Sequence, residues 1–174
     1  FVWQTDVDGY PWVGVACQTF GASVWWPVKD DLADEPDSML LRFRIPLGLV
    51  CLSNGKLLER RMENGRQIFT WKTRYPMNVY NATFYIGAYR HFSLPYGEEG
   101  SGKQLDIFLL KQHLPHGMKH LHQSLPMMEF LEKTYGEYPW WEEGFKLIVS
   151  PYTGMEHQTA ISYGNHFLNL EGFS

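Results

Sequence analysis

The stretch Arg66-Gln-Ile-Phe-Thr-Trp-Lys-Thr-Arg-Tyr75 decides how the first half of this chain folds. It alternates, with Ile68, Thr70 and Lys72 on one side and Phe69, Trp71 and Thr73 on the other. A period of two is the signature of a β-strand with one face turned to a core. Pro76, which cannot donate to a ladder, ends the run. Working outward, Ser38–Ile45 alternates Leu, Arg and Phe before Pro46. Trp12–Gln18 is short, apolar and β-branched, and Thr83–Tyr89 adds β-branched and aromatic residues. Leu49–Leu52 runs into Ser53-Asn54-Gly55-Lys56, where Asn-Gly is a strong two-residue turn signal. Several short strands joined by turns predict an antiparallel sheet or sandwich over residues 1–94.

The texture changes after Leu94. Pro95–Gln104 holds Gly97, Gly100 and Gly102 and reads as a loop at a domain boundary. Leu105–Leu110 is strand-like. His120–Tyr135 places Leu121, Leu125, Met128, Leu131 and Tyr135 three or four apart, which predicts an amphipathic helix. Gly136 stands where a helix C-terminal glycine belongs, and Phe145–Val149 is a further strand. Strand, helix, strand opens an α/β layer over residues 95–174. The expected class is α+β, mainly β.

The 174 residues carry a formal net charge of -4, with Lys and Arg scattered. A nucleic-acid partner needs a clustered cationic face, so that class is excluded. No apolar run approaches the roughly 20 residues of a membrane span. The chain lacks an initiator Met and begins in mid-pattern, which reads as an internal piece of a longer protein, so its compartment stays open. Cys17 and Cys51 lack the spacing of a zinc site and read as small buried hydrophobes, with a disulfide as the alternative. Asn81-Ala-Thr83 matches a glycosylation sequon, a pattern frequent by chance.

The segment with most chemical content is Ser150-Pro-Tyr-Thr-Gly-Met-Glu-His-Gln-Thr-Ala-Ile-Ser-Tyr-Gly164. Glu156 is its one acidic residue, and a carboxylate beside a small-residue loop at a strand end can accept hydrogen bonds from a ligand cation. Gly154 would let a ligand approach the backbone. The alternative is a plain strand–turn–strand with an exposed Glu. His113, His116, His120 and His122 lie within ten residues, and His116 and His120 have the spacing of one helix face. Pro115 and Gly117 weaken a helix there, so a solvated loop and helix start competes with a metal site. The pairs Trp25-Trp26 and Trp140-Trp141 suit either sugar stacking or aromatic packing.

Several landmarks follow one order found in a known family. Trp26-Pro-Val-Lys-Asp30 with Asp34-Glu-Pro36 resembles a Trp-x-Pro-Cys-x-Asp…Asp-Glu-Pro stretch, and Leu52-Ser-Asn-Gly55 a Ser-Asn-Gly turn. Thr73–Tyr80 resembles a Pro-Met-x-x-Tyr segment leading to a strand glycine, here Gly87. Tyr135-Gly-Glu-Tyr-Pro-Trp140 resembles a Tyr-Gly-x-Pro-Tyr-Pro helix end, and Thr153-Gly-Met-Glu-His157 a Gly-Ala-Met-Glu-Asn motif. Together they resemble the aminopeptidase N family of zinc metallopeptidases. Thr153 departs from the motif's first Gly and His157 from its final Asn, while Met155-Glu156 is intact.

That resemblance implies the later part of a saddle-like N-terminal β-domain, then the start of a thermolysin-like catalytic domain. It implies that Glu156 binds the free α-ammonium of a peptide substrate, a charge-assisted contact, and that Gln18 gives a second contact to the amine. Thr153, Gly154 and Met155 would belong to the same substrate-binding loop, and Tyr152 would line the pocket for the first side chain. The family's zinc motif is His-Glu-x-x-His, some tens of residues beyond the Met-Glu loop. None of the seven histidines here is followed by Glu. The resemblance therefore implies zinc in the full-length enzyme, no zinc ligand in this chain, no hydrolysis by this piece alone, and packing against the rest of its parent chain. A non-enzymatic β-rich binding module on the same framework is the alternative.

Overall fold

The computed structural model describes residues 1–167. In chain order its strands begin with β1 (Val2–Thr5), β2 (Pro11–Gly14), β3 (Met39–Ile45), β4 (Val50–Ser53), β5 (Lys56–Glu63) and β6 (Arg66–Thr73). There follow β7 (Phe84–Gly87), β8 (Arg90–Pro95), β9 (Gln104–Leu109), the helices α1 (Leu114–Leu121) and α2 (Ser124–Tyr135), β10 (Phe145–Ser150), β11 (Gly154–Met155) and β12 (Ala160–Gly164). The class is mainly β with two short helices among the described residues, as the patterning predicts.

The alternating Arg66–Thr73 run is the middle strand of a three-stranded antiparallel sheet in the order β3-β6-β5. Its neighbours differ. β3 keeps the expected half-buried rhythm, whereas β6 is buried from Gln67 to Trp71. β6 is buried on both faces over this stretch, and Thr70 is accepted there because its hydroxyl reaches Glu59 at 3.4 Å. β5 escapes the pattern reading because Lys56–Glu63 is charged and almost wholly exposed. It is held by a hairpin at Asn64-Gly65, both at positive φ (47° and 70°), the backbone that a two-residue primed turn demands.

β1-β2-β7-β4 form a four-stranded antiparallel sheet. The strand expected over Trp12–Gln18 is ladder only as far as Gly14; beyond it Gln18 and Phe20 make an isolated bridge around Thr19 at φ 64°. Asn54-Gly55 is a turn but not a hairpin, since β4 pairs with β7 and β5 with β6. The chain uses it to leave one sheet for another.

The third sheet is mixed, in the order β11-β12-β10-β9-β8. β9, β10 and β12 run parallel, with antiparallel β8 and β11 at the edges among the described residues. The parallel strands are buried almost continuously, from Leu105 through Leu109 and Leu147 through Val149 apart from Asp106, as strands covered on both faces must be. The β9–β10 crossover contains both helices. The expected helix over His120–Tyr135 is therefore two helices, broken at His122-Gln123. Pro115 lies in the first turn of α1, where its missing N–H costs nothing. Gly117 is in α1 because a Cβ there would stand 2.9 Å from the Leu109 side chain. The predicted Gly136 terminator is in place at φ 98°.

The Pro95–Gln104 loop, expected as a boundary, joins two paired strands. It closes a β8–β9 hairpin registered from Arg90↔Leu109 to Pro95↔Gln104, so β8 belongs with the later sheet. Residues 168–174 of the expected second part lie outside the described residues. One apolar cluster draws on all three sheets and both helices, from Trp12 and Phe69 to Leu121 and Val149. A smaller one joins Met39, Met77 and Ala82 to Trp25 and Trp26.

Candidate functional site

β11 is two residues long and lies at the edge of the mixed sheet, paired Gly154↔Tyr163 and Met155↔Ser162. Gly154 has φ 129°, and a Cβ there would meet the Ser162 carbonyl at 3.2 Å. Its glycine is required by the chain's own conformation, and not only by close approach of a ligand. Gly164 is a second requirement that the sequence reading missed: a Cβ would come within 2.5 Å of the Thr153 carbonyl.

Beyond β11 the chain alternates outward and inward. Glu156 is exposed and His157 is fully buried. The Tyr80 hydroxyl donates to Glu156 Oε1 at 3.2 Å; partial burial and then the Glu156 charge hold that phenol above its usual range. His157 Nδ1 lies 2.8 Å from the Tyr85 hydroxyl, which donates to the Ala160 carbonyl at 2.9 Å. Nδ1–H must therefore donate to Tyr85, leaving Nε2 buried and without a partner among the described residues. Burial pushes the imidazole down to about 3, so it is neutral at physiological pH. His157 thus anchors the loop that presents Glu156.

The next residues are clamped to the first half of the chain. The Gln158 N–H donates to Asn81 Oδ1 at 2.9 Å, and its carbonyl accepts from Asn54 Nδ2 at 2.6 Å. The Gly55 N–H donates to Thr159 Oγ1 at 2.8 Å. Asn54, fully buried, also donates to the Asn81 carbonyl (3.0 Å) and accepts from the Thr83 N–H (2.8 Å). On the far side, Lys146 Nζ donates to the Gly55 carbonyl at 2.7 Å. Asn54-Gly55 and the turn Val79–Asn81 therefore form the seat of the Glu156 loop. Sequence reasoning quoted both as landmarks without seeing that they meet; the Asn-Gly pair at the end of β4 was the available signal.

Of the other expected residues, Thr153 and Met155 flank Gly154 on the edge strand, Thr153 exposed and Met155 partly buried. The Tyr152 hydroxyl donates to the Val15 carbonyl at 3.0 Å, and its ring lies 3.0 Å from where a Gly14 Cβ would be. Tyr152 thus ties the loop to the segment that leads to Gln18. Gln18 is exposed three residues further on, and no hydrogen bond joins it to Glu156 among the described residues.

The other features of the sequence disperse. Of the four clustered histidines, His113 packs on Trp12 with ring centroids 5.4 Å apart, His120 meets the Tyr163 hydroxyl, and His116 and His122 are exposed. No group of three or more His, Cys, Asp or Glu is placed to hold a metal among the described residues. Asn81 and Thr83 of the sequon are buried, and Asn81 Oδ1 and the Thr83 hydroxyl are both engaged. A glycan does not fit there. Cys17 and Cys51 are buried and free. No helix of the described residues is long and apolar enough to cross a membrane. Searches with this sequence find no matching protein-family model and no matching curated protein.

Proposed function

We propose that this chain is the substrate-binding part of a zinc-dependent aminopeptidase, with Glu156 receiving the free α-ammonium of a peptide. The observation that carries the reading is the contrast at the end of β11. An exposed carboxylate stands beside a fully buried His157 and a clamped Gln158-Thr159, so Glu156 is held out by backbone whose position is fixed from both sides. Fixing a charge before the ligand arrives is what makes a charge-assisted contact selective. Among the described residues β11 also presents the open side of an edge strand, the kind of surface on which an extended peptide adds as a further strand. Gln18 and Tyr152 complete the proposed site through the Val15 segment.

Among the described residues no group is placed to hold zinc, the histidines being scattered, and no chemical step is derived through it. What they do is bind and orient the amine, which restricts cleavage to the first peptide bond. The packing of the tryptophans weakens the sugar-stacking alternative. Trp25 and Trp26 pack on the Met39–Met77 cluster, while Trp141 stacks on Tyr96 and donates to Glu132 at 2.9 Å.

The test uses the full-length protein. Glu156→Ala and Glu156→Gln should lower kcat/KM on free-amine peptides by about 10- to 100-fold, the worth of a charge-assisted hydrogen bond, at unchanged zinc content. Unimpaired kinetics, or a coding sequence without a downstream His-Glu-x-x-His, would sink the reading.

A further inference from the structure

A second cavity has no place in that reading. Where the three sheets converge there is a cleft of about 910 Å³, and none of residues Tyr152–Thr159 lines it. Its walls are aromatic, with Phe69 and Trp71 from β6, Tyr89, and Phe108 from β9, each no more than 8% exposed. The volume falls within the usual range of small-molecule sites.

Lys146, only 4% exposed, forms part of this lining. Two of its ammonium protons go to neutral carbonyls, Gly55 at 2.7 Å and Glu143 at 3.0 Å, and Nζ sits 5.5 Å from the centre of the Trp71 ring. No carboxylate lies within ion-pair distance of it among the described residues. Burial pushes it down to about 8, so it is mostly charged at neutral pH. Lysines are almost never buried without an ionic partner. An ammonium has three donors, and one here has no hydrogen-bond partner among the described residues.

The cleft's own acids do not fill that role. Asp106 takes its hydrogen bonds on one oxygen, Oδ1, from His91 (2.7 Å), Ser93 (2.7 Å) and Gln104 (2.8 Å). Glu143 Oε1 accepts from the Arg74 N–H and its Oε2 is buried without a hydrogen-bond partner among the described residues, while Lys146 reaches only its main-chain carbonyl; the charges of Asp106 and Glu143 act on Lys146 without a hydrogen bond to it. Glu142 is exposed. At the mouth, Arg60 lies over Phe69 at 5.3 Å and donates to Gln67, with no carboxylate partner among the described residues. The interior therefore offers flat apolar walls and, among the described residues, one buried donor without a hydrogen-bond partner, with the Arg60 guanidinium also in the lining.

We propose that the cleft is a binding site for a small aromatic carboxylate, its carboxylate on Lys146 Nζ and its ring between Trp71, Phe69 and Phe108. A single open N–H suits one carboxylate oxygen better than a phosphate, which needs several donors to offset its charge.

Calorimetric titration of the full chain with indole-3-acetate and with its uncharged isostere indole-3-acetamide tests this. The acid should bind about tenfold or more tightly than the amide, the effect of one charge-assisted hydrogen bond. Lys146→Met should bring the acid down to the level of the amide. Equal binding of the two to the unaltered chain, no binding of either, or a preference that survives Lys146→Met overturns the proposal. If Lys146→Met does not fold, the ¹³Cε resonance of Lys146 in the unaltered chain decides. It must move on addition of indole-3-acetate, and a resonance that stays put overturns the proposal.

Discussion

His157 and Glu156 are adjacent, yet one is sealed in the core and the other is in water. The buried imidazole makes the loop sensitive to acid. Its folded pKa, about 3, lies below the ordinary 6.5. Between those values the unfolded chain binds the proton and the folded chain does not. The stability it contributes is fully present above about pH 6.5 and is lost as pH falls towards 3, by roughly 4 kcal/mol at the low end. Urea midpoints between pH 6.5 and 4 should fall for the unaltered chain and fall less steeply for His157→Phe. Equal slopes would show that His157 does not carry the effect. At this scale Thr153-Gly154-Met155-Glu156 was legible as a motif. His157, Tyr80 and Asn54 were not, because their importance lies in partners 72, 76 and 104 residues away.

Two Asn-Gly pairs show what an element-level signal can and cannot say. Asn64-Gly65 closes a hairpin, while Asn54-Gly55 hands the chain from β4 to β5 in a different sheet. Both glycines need positive φ, 70° and 76°, so local preference cannot separate them. Their surroundings do. A Cβ on Gly65 meets nothing within 4 Å, whereas one on Gly55 would lie 2.1 Å from the Lys72 carbonyl. Gly65→Ala should therefore cost about 1 kcal/mol, the left-handed penalty alone. Gly55→Ala should cost more than about 3 kcal/mol or prevent folding. Comparable urea midpoints for the two variants would refute the sheet-crossing geometry. The strands β3, β6, β9 and β10 were readable because apolar content or rhythm marks them. β5 and the division of the helix were not, since an exposed charged strand carries no such mark and the apolar spacing runs from Leu121 to Leu125 straight across the break.

For the whole molecule, Asn54 is the point where three separate segments meet. Its side chain holds Asn81, Thr83 and Gln158 through three buried or partly buried hydrogen bonds. Asn54→Ala would strand those groups, at a cost of about 3–5 kcal/mol. Hydrogen exchange should then quicken at the amides of residues 156–159 before it does in β9 and β10. Uniform quickening would show that Asn54 serves general stability and not the seat of the loop. The class α+β was legible from texture alone. The mixed sheet with β8 on its edge was not, because strand order is set by which surfaces cover one another and not by any local pattern.

The bonds from Asn54 to Gln158 and from Gly55 to Thr159 each join positions 104 apart. Contacts so distant along the chain form late, because the entropy of closing the intervening loop is lost before they give anything back. During synthesis the Asn54-Gly55 corner must wait for Gln158 and Thr159 to emerge. The loop bearing Glu156 is therefore among the last parts of the fold to take shape, and a chain stalled before that step would hold well-formed strands but no fixed carboxylate.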